Sequence, residues 1–132
     1  MEQGYYKLEV YKLSHQLALR IHGMSLTLPP FERYEEGSQI RKSSKSVSSN
    51  IVEGYALRKY KNEYLHYLYR SYGSSEETIE HLRFLFESGS LVDKDLFDEL
   101  LGECKKLSAM LFNFILSVER LSEPPRFLNH EA

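Results

Sequence analysis

The sequence predicts an all-α fold, an up-down-up-down antiparallel four-helix bundle. Three observations carry this. Apolar residues recur at steps of three and four in four long stretches, the period of one helix face. Each stretch closes on a breaker: Pro29-Pro30, Gly54, Ser88-Gly89-Ser90 and Pro124-Pro125. Nothing reads as a pair of strands, and the links are short enough that successive helices must run antiparallel.

The first helix is expected over about 7–27. Val10, Leu17, Ile21, Met24 and Leu28 hold the core step, with Leu13 beside them. Pro29-Pro30 ends it, since proline lacks the N–H and biases its predecessor away from helix. The second helix spans about 32–56, with Glu32, Glu35 and Glu36 at its positive end. The third covers about 61–87, with Asn62 as its cap and Leu65, Leu68, Tyr72, Ile79, Leu82 and Phe86 as its stripe. The fourth runs from about 93 to 121 behind an Asp93 cap. At 1.5 Å per residue these helices are roughly 30–42 Å long. Residues 1–121 form the bundle domain; the polar, proline-containing tail 122–132 is expected to be loose or draped over a neighbour.

Composition narrows the function classes. A chain of 132 residues makes one domain with a core of its own. A single cysteine excludes a disulfide framework and suits a reducing, cytoplasmic setting. No stretch has the length or apolarity of a signal peptide or a membrane span. The net charge of −2 is unevenly spread: residues 41–73 carry 7 basic and 2 acidic groups, residues 74–103 carry 2 and 9. A uniformly basic nucleic-acid binder is excluded, whereas a local basic patch is not.

The second helix holds the most informative stretch, SQIRKSSKSVSSNIVEGY (38–55). Gln39, Ser43, Ser46, Asn50 and Glu53 step along one face, beside an apolar stripe of Ile40, Val47 and Ile51. Serine is a mediocre helix former, so a serine-rich face next to an oily one indicates close packing, with its polar groups paired. If the turn centres near 57–58, residue i faces residue 115 − i of the third helix. Ser43 then meets Tyr72 and Gly73, Gln39 meets Glu76, and Arg41 reaches Glu76 or Glu77. Gly73 would allow a close backbone approach. The expected role is a structural polar layer of Gln39, Ser43, Ser46, Asn50, Glu53, Gly73, Ser74 and Glu77, with a ligand pocket as the alternative.

This segment, followed by EYLHYLYRSYGSSEE, resembles the four-helix-bundle family of intervening-sequence proteins, small bacterial proteins found as reading frames inside large-subunit ribosomal RNA genes. Pro29, Gln39, Ile40, Arg41, Ser46, Asn50, Ile51, Glu53, Gly54, Gly73, Ser74 and Glu77 match the family pattern over about residues 5–121. Glu35-Glu36 replaces its Gly-Leu pair, and Lys42-Ser43-Ser44 its Arg-Ala-Ala. The resemblance implies a helical bundle assembled into a homopentameric ring, without a settled activity. Relatives include the accessory proteins of diversity-generating retroelements, basic pentamers that work with RNA and a reverse transcriptase; this chain lacks their overall positive charge.

The residues also bear on assembly without that resemblance. Leu96, Leu100, Leu107, Phe114 and Leu121 form one stripe on the fourth helix, and Phe97, Leu101, Cys104, Leu111, Ile115 and Val118 a second, with Met110, Phe112 and Leu116 widening it. A one-face helix needs an apolar arc of about 100°. The surplus points to burial against another subunit, or to a helix central to a thick monomeric core.

No constellation supports catalysis. One Glu-x-x-His motif, Glu63 to His66, lacks the second copy a di-iron bundle needs. His15 and His22 stand seven residues apart, and His81 and His130 have no evident partners. Cys104 lies in an apolar stripe, and there is no nucleophile elbow or phosphate loop. No metal or cofactor is expected. Arg41, Lys42 and Lys45 on the second helix, with Arg58, Lys59 and Lys61 at the following turn, interleave with tyrosines and form the candidate nucleic-acid surface. The expectation is a non-enzymatic homo-oligomeric scaffold that contacts RNA or a nucleic-acid enzyme weakly through a basic rim. The alternative is a structural assembly or adaptor for a protein partner, without nucleic-acid binding.

Overall fold

A computed structural model describes residues 4–121. Four long helices dominate: α1 (Glu9–Ser25), α3 (Glu36–Ala56), α4 (Lys61–Glu87) and α5 (Lys94–Glu119), with a one-turn α2 (Pro30–Arg33) and a short 3-10 turn at Tyr5–Lys7. The described residues contain no strand. The tail predicted over 122–132 lies outside the described residues.

Side-chain partners fix the direction of each neighbouring pair. Between α3 and α4, Ser43 bonds Thr78, Ser46 bonds Ser74 and Val47 receives Ser71, so one number falls as the other rises. Between α4 and α5 the pairs are Tyr69 with Glu119, Ser75 with Ser108, and Phe86 with Phe97. Arg20 pairs with Glu99, while Leu8 and Val10 share a groove with Met110 and Phe114. The helices therefore alternate in direction, and α5 closes the ring against α1. One apolar core fills the centre, built on Ile21, Leu28, Ile40, Ile51, Leu82, Leu100 and Leu111. A second cluster of Tyr55, Tyr64, Leu68, Ile115 and Val118 closes the end that holds the α3–α4 turn.

The second helix begins four residues later than predicted. Pro30 opens α2 at its first position, where a missing N–H costs nothing. The chain then turns at Tyr34 and Glu35 before α3 starts. Arg33 Nε donates to Leu28 O at 2.9 Å, and Arg41 reaches back to Arg33 O at 2.8 Å, so the corner is tied on both sides. Glu32 is buried rather than displayed at a helix end. Its carboxylate accepts from Ser90 Oγ on the α4–α5 link and from Glu36 N, one of the unpaired amides at the start of α3.

The third helix matches its predicted span, but Tyr60, not Asn62, occupies its N-cap position. Asp93 does cap α5, accepting from Leu96 N at 3.0 Å. Between them Gly89 adopts φ +88°, the left-handed turn that ends α4.

Two glycines do not hold the roles assigned to them. Gly73 is exposed, and a Cβ there would meet nothing within 4 Å. The close approach is instead at Gly54, where a Cβ would lie 3.1 Å from Tyr67 Cβ and 3.4 Å from Tyr64 O. Gly54 is thus a packing residue inside α3 rather than its terminator. Gly73→Ala is expected to raise stability by about 0.5–1 kcal/mol, through helix propensity alone. Gly54→Leu is expected to lower it by about 1–3 kcal/mol through overpacking. Urea denaturation of the two variants beside wild type checks both signs.

Candidate nucleic-acid interface

The interface is bounded on one side by a hydroxyl seam that locks α3 to α4. Ser43 Oγ and Thr78 Oγ1 are 2.8 Å apart and both buried. Ser74 Oγ donates to Ser46 Oγ at 2.9 Å, and Asn50 Nδ2 donates to Ser46 O and Ser46 Oγ at 2.8 and 2.9 Å. Ser71 Oγ donates to Val47 O at 2.7 Å. Four predicted members of the polar layer, Ser43, Ser46, Asn50 and Ser74, therefore meet across this contact. Gln39, Glu53, Gly73 and Glu77 lie on exposed positions outside the seam.

Sequence reasoning missed the rest of the layer. Ser14, Ser44, Ser71, Ser75, Thr78 and Ser108 are all buried, and Ser75 with Ser108 at 2.7 Å extends the hydroxyls to α5. The available signal was the three- and four-residue spacing of Ser71, Ser75 and Thr78 along α4. Among the described residues no buried side-chain polar atom lacks a partner. The central cavity, lined by Ser14, Ser44, Ser75, Thr78 and Cys104 among others, measures about 10 Å³. That is the room of at most one water, too little for an organic ligand.

The helix register departs from the predicted sum of 115. Observed partners sum to 118–121, as in Val47 with Ser71 and Ser43 with Thr78. The linking residues centre nearer 58.5 than 57.5. Side chains also lean toward the N-terminus of their own helix. In an antiparallel pair that lean adds about one residue to each partner, which accounts for the shift.

The six basic candidates divide into two groups. Arg41 is half-buried. Its guanidinium donates to Ser25 Oγ at 2.9 Å and to Arg33 O at 2.8 Å, rather than reaching Glu76 or Glu77. Lys61 Nζ donates to Glu119 O and Leu121 O at 2.9 and 2.7 Å, serving the carbonyl end of α5 where a cation is favoured. These two cations are engaged by the fold itself. Arg58 is exposed but organised: its guanidinium lies 3.9 Å over the Tyr55 ring and donates to Tyr55 O. Lys42, Lys45 and Lys59 are exposed, and they make no ion pair among the described residues.

Charge is segregated along the bundle axis. Segments 26–36 and 80–103, at the end opposite the α3–α4 turn, hold 10 acidic and 3 basic groups. His81, which had no evident partner in the sequence, stands there between two carboxylates. Its Nδ1 is 2.7 Å from Glu36 Oε1, and its Nε2 is 3.2 Å from Glu77 Oε2.

Residues 6–113 match the family model of the 23S rRNA-intervening sequence protein. The chain belongs to that family. A comparison with the curated proteins finds no match.

The one cysteine of this intervening-sequence protein is buried on α5. Burial, with a smaller contribution from Glu103, pushes the Cys104 thiol up to about 12, so no thiolate forms at neutral pH. Among the described residues no cluster of His, Cys, Asp and Glu is placed to hold a metal ion, and no helix is long and apolar enough to cross a membrane. Cys104 is therefore expected to resist an aromatic disulfide reagent at pH 8 and to react fully once urea unfolds the chain; absorbance at both conditions measures this. Ser71→Ala, which removes the donor to Val47 O, is expected to cost about 1 kcal/mol, read from the urea midpoint.

Proposed function

We propose that this intervening-sequence protein is a non-enzymatic, cytoplasmic scaffold that assembles into a closed homo-oligomer, a pentamer, and contacts RNA or a nucleic-acid enzyme weakly through its basic surface. The observation that carries the RNA part is the division among the cations. Arg41 and Lys61 are consumed by the fold, while Lys42, Lys45, Arg58 and Lys59 remain on the surface. Arg58 and Lys59 lie at the α3–α4 turn, opposite the acidic end, which repels a phosphate backbone; Lys42 and Lys45 lie on the half of α3 nearer that end. With so few cations per subunit, affinity comes from repeating the surface around a ring, and it is salt-sensitive with little sequence preference.

Assembly is supported by the outer seam of α4 and α5. Tyr69 and Phe112 there are 48% and 47% exposed. Tyr72 packs against Phe112 with ring centroids 6.0 Å apart, and Leu65 and Leu116 are half-buried alongside. Aromatic residues grouped in this way are favoured at subunit interfaces. The same seam favours a second reading, an adaptor for a different protein partner with no nucleic-acid role.

Native mass spectrometry of the wild type is expected to give one closed oligomer. Phe112→Glu with Tyr69→Glu should give helical monomers, since an unpaired buried charge is costly at an interface. A wild-type monomer at micromolar concentration overturns the assembly. RNA titration at low and physiological salt tests the other half. Lys42→Glu, Lys45→Glu and Lys59→Glu combined should weaken binding at least roughly tenfold and flatten the salt slope by about 0.9 for each phosphate no longer neutralised. Lys61 is left intact, because replacing it would also uncap α5. Absence of binding at low salt transfers the function to the protein-adaptor reading.

A further inference from the structure

The end of the bundle away from the α3–α4 turn carries large apolar side chains that the core does not use. Val92 is 81% exposed, Tyr34 79%, Phe31 67% and Phe84 50%. None of the four packs against either core cluster. Exposed apolar residues scattered singly are ordinary, so their grouping decides whether they matter. A chain of hydrogen bonds supplies that grouping. Glu32 accepts from Ser90 Oγ at 2.5 Å and from Glu36 N at 3.3 Å, and Glu36 Oε1 stands 2.7 Å from His81 Nδ1. Phe31 and Tyr34 flank Glu32, Val92 follows Ser90 by two residues, and Phe84 stands one turn beyond His81 on α4. All four are thereby held around one corner, formed by α2, the start of α3, the end of α4 and the α4–α5 link.

Local geometry turns these side chains outward and puts carboxylates beside them. α2 is a single helical turn, with Glu32 buried and the Arg33 guanidinium drawn back to Leu28 O. Phe31 and Tyr34, three residues apart, share the side of that turn left to solvent. On α4, Phe84 stands between Glu80 and Glu87 at spacings of four and three, so an exposed ring is bracketed by exposed carboxylates on one helix face. Glu35, directly after Tyr34, is exposed as well. Among the described residues Glu35, Glu80 and Glu87 make no ion pair. Of the nearby cations, Arg83 is exposed, while Lys94 is taken up by Asp98 at 2.8 Å. The apolar corner thus has a net acidic rim, at the end whose segments 26–36 and 80–103 hold 10 acidic and 3 basic groups.

We infer that this corner is a docking surface for a basic protein segment, an amphipathic stretch with apolar side chains on one face and Lys or Arg on the other. The apolar side chains cover Phe31, Tyr34, Phe84 and Val92, and the cations meet Glu35, Glu80 and Glu87. An apolar centre inside a charged rim is the anatomy of a protein–protein contact, and the sign of the rim sets the sign of the partner. The same sign repels a phosphate backbone and an anionic lipid surface. It also repels the same corner of a second copy. The surface lies at the end opposite Arg58 and Lys59, and it stands whether or not those residues hold RNA.

The probes are amphipathic peptides of about five helical turns: one of leucine and lysine, one of leucine and glutamate, and one of serine and lysine. Fluorescence anisotropy at physiological salt measures their binding to four proteins. These are wild type, Phe31→Ser with Val92→Ser, Glu35→Gln with Glu80→Gln and Glu87→Gln, and Leu19→Ser as a control at an exposed apolar residue of mid-α1. Every substituted position is exposed, and circular dichroism verifies the fold. Wild type should bind the leucine–lysine peptide at least roughly tenfold more tightly than either of the others. The serine double variant should lose roughly tenfold in that affinity. The glutamine variant should lose both affinity and salt dependence, and Leu19→Ser should match wild type. Equal binding of the serine–lysine peptide overturns the docking surface, as does unchanged binding by the Phe31–Val92 variant or no binding by wild type. A smaller oligomer of that variant in native mass spectrometry also overturns it, by assigning the corner to contact between copies.

Discussion

Everything in this bundle hangs on the satisfaction of buried hydroxyls between helices. Serine and threonine on α1, α3, α4 and α5 replace the leucines that would otherwise fill the middle of the core. Small side chains let helix axes approach more closely than leucine layers do, but each buried hydroxyl left without a partner costs about 1–3 kcal/mol. The chain meets this condition in two ways. Some hydroxyls turn back onto their own helix, as Ser14 onto Tyr11 O and Ser44 onto Arg41 O. Others cross to a neighbour, as Ser43 to Thr78 and Ser75 to Ser108. The crossing bonds have distance and angle requirements that an oily contact lacks. A slip of one turn between α3 and α4 would leave several unpaired at once. The seam thus specifies register, and register in turn determines which side chains are left for the surface.

The division of the arginines and lysines follows from the same geometry. Arg41 sits on the α1-facing side of α3 because the α4-facing side is taken by Ser43, Ser46 and Asn50. There it holds both the end of α1, through Ser25, and the corner before α3, through Arg33 O. Its planar fork suits two separate acceptors in a way a lysine ammonium does not. The lysines one and four residues later point outward and stay available. Glu32 plays a matching part at the same end, joining the α4–α5 link to the first turn of α3 through one buried carboxylate. The acidic end is in this sense structured by its charges, whereas the exposed lysines on α3 and at the opposite turn have no structural task.

Much of the fold was legible in the sequence, and the reason is physical. Helix period, proline pairs and the Asp93 cap are local signals, and they placed α1, α4 and α5 within about two residues. The α3 start was missed because Glu32 reads locally as a helix-end acid. Its burial depends on Ser90, 58 residues away. The close approach was assigned to Gly73 instead of Gly54 for a similar reason: which glycine faces a neighbour depends on register, and register was taken at the backbone level without the lean of the side chains. The hydroxyl seam was half legible. The α3 serines are conspicuous in a run, while Ser71, Ser75 and Thr78 are diluted among the tyrosines of α4.

The candidate surface was harder to read, because tyrosines that stand among the basic residues in the chain divide between surface and interior. Tyr64, Tyr67 and Tyr72 stand among the basic residues in the chain, yet they turn into the bundle. Tyr64 is buried enough that desolvation pushes its hydroxyl up to about 12. Tyr5, Tyr6 and Tyr11 precede the nearest basic cluster by some thirty residues in sequence. Antiparallel packing of α1 on α3 instead sets Tyr11 level with Tyr55, at the end that holds Arg58. A helix bundle builds surfaces from residues of different helices that share a level along the axis. For this chain the level is set by the hydroxyl seam on one side of α3 and by Arg41 on the other. Any function assigned to the lysines of α3 must therefore be read together with α1.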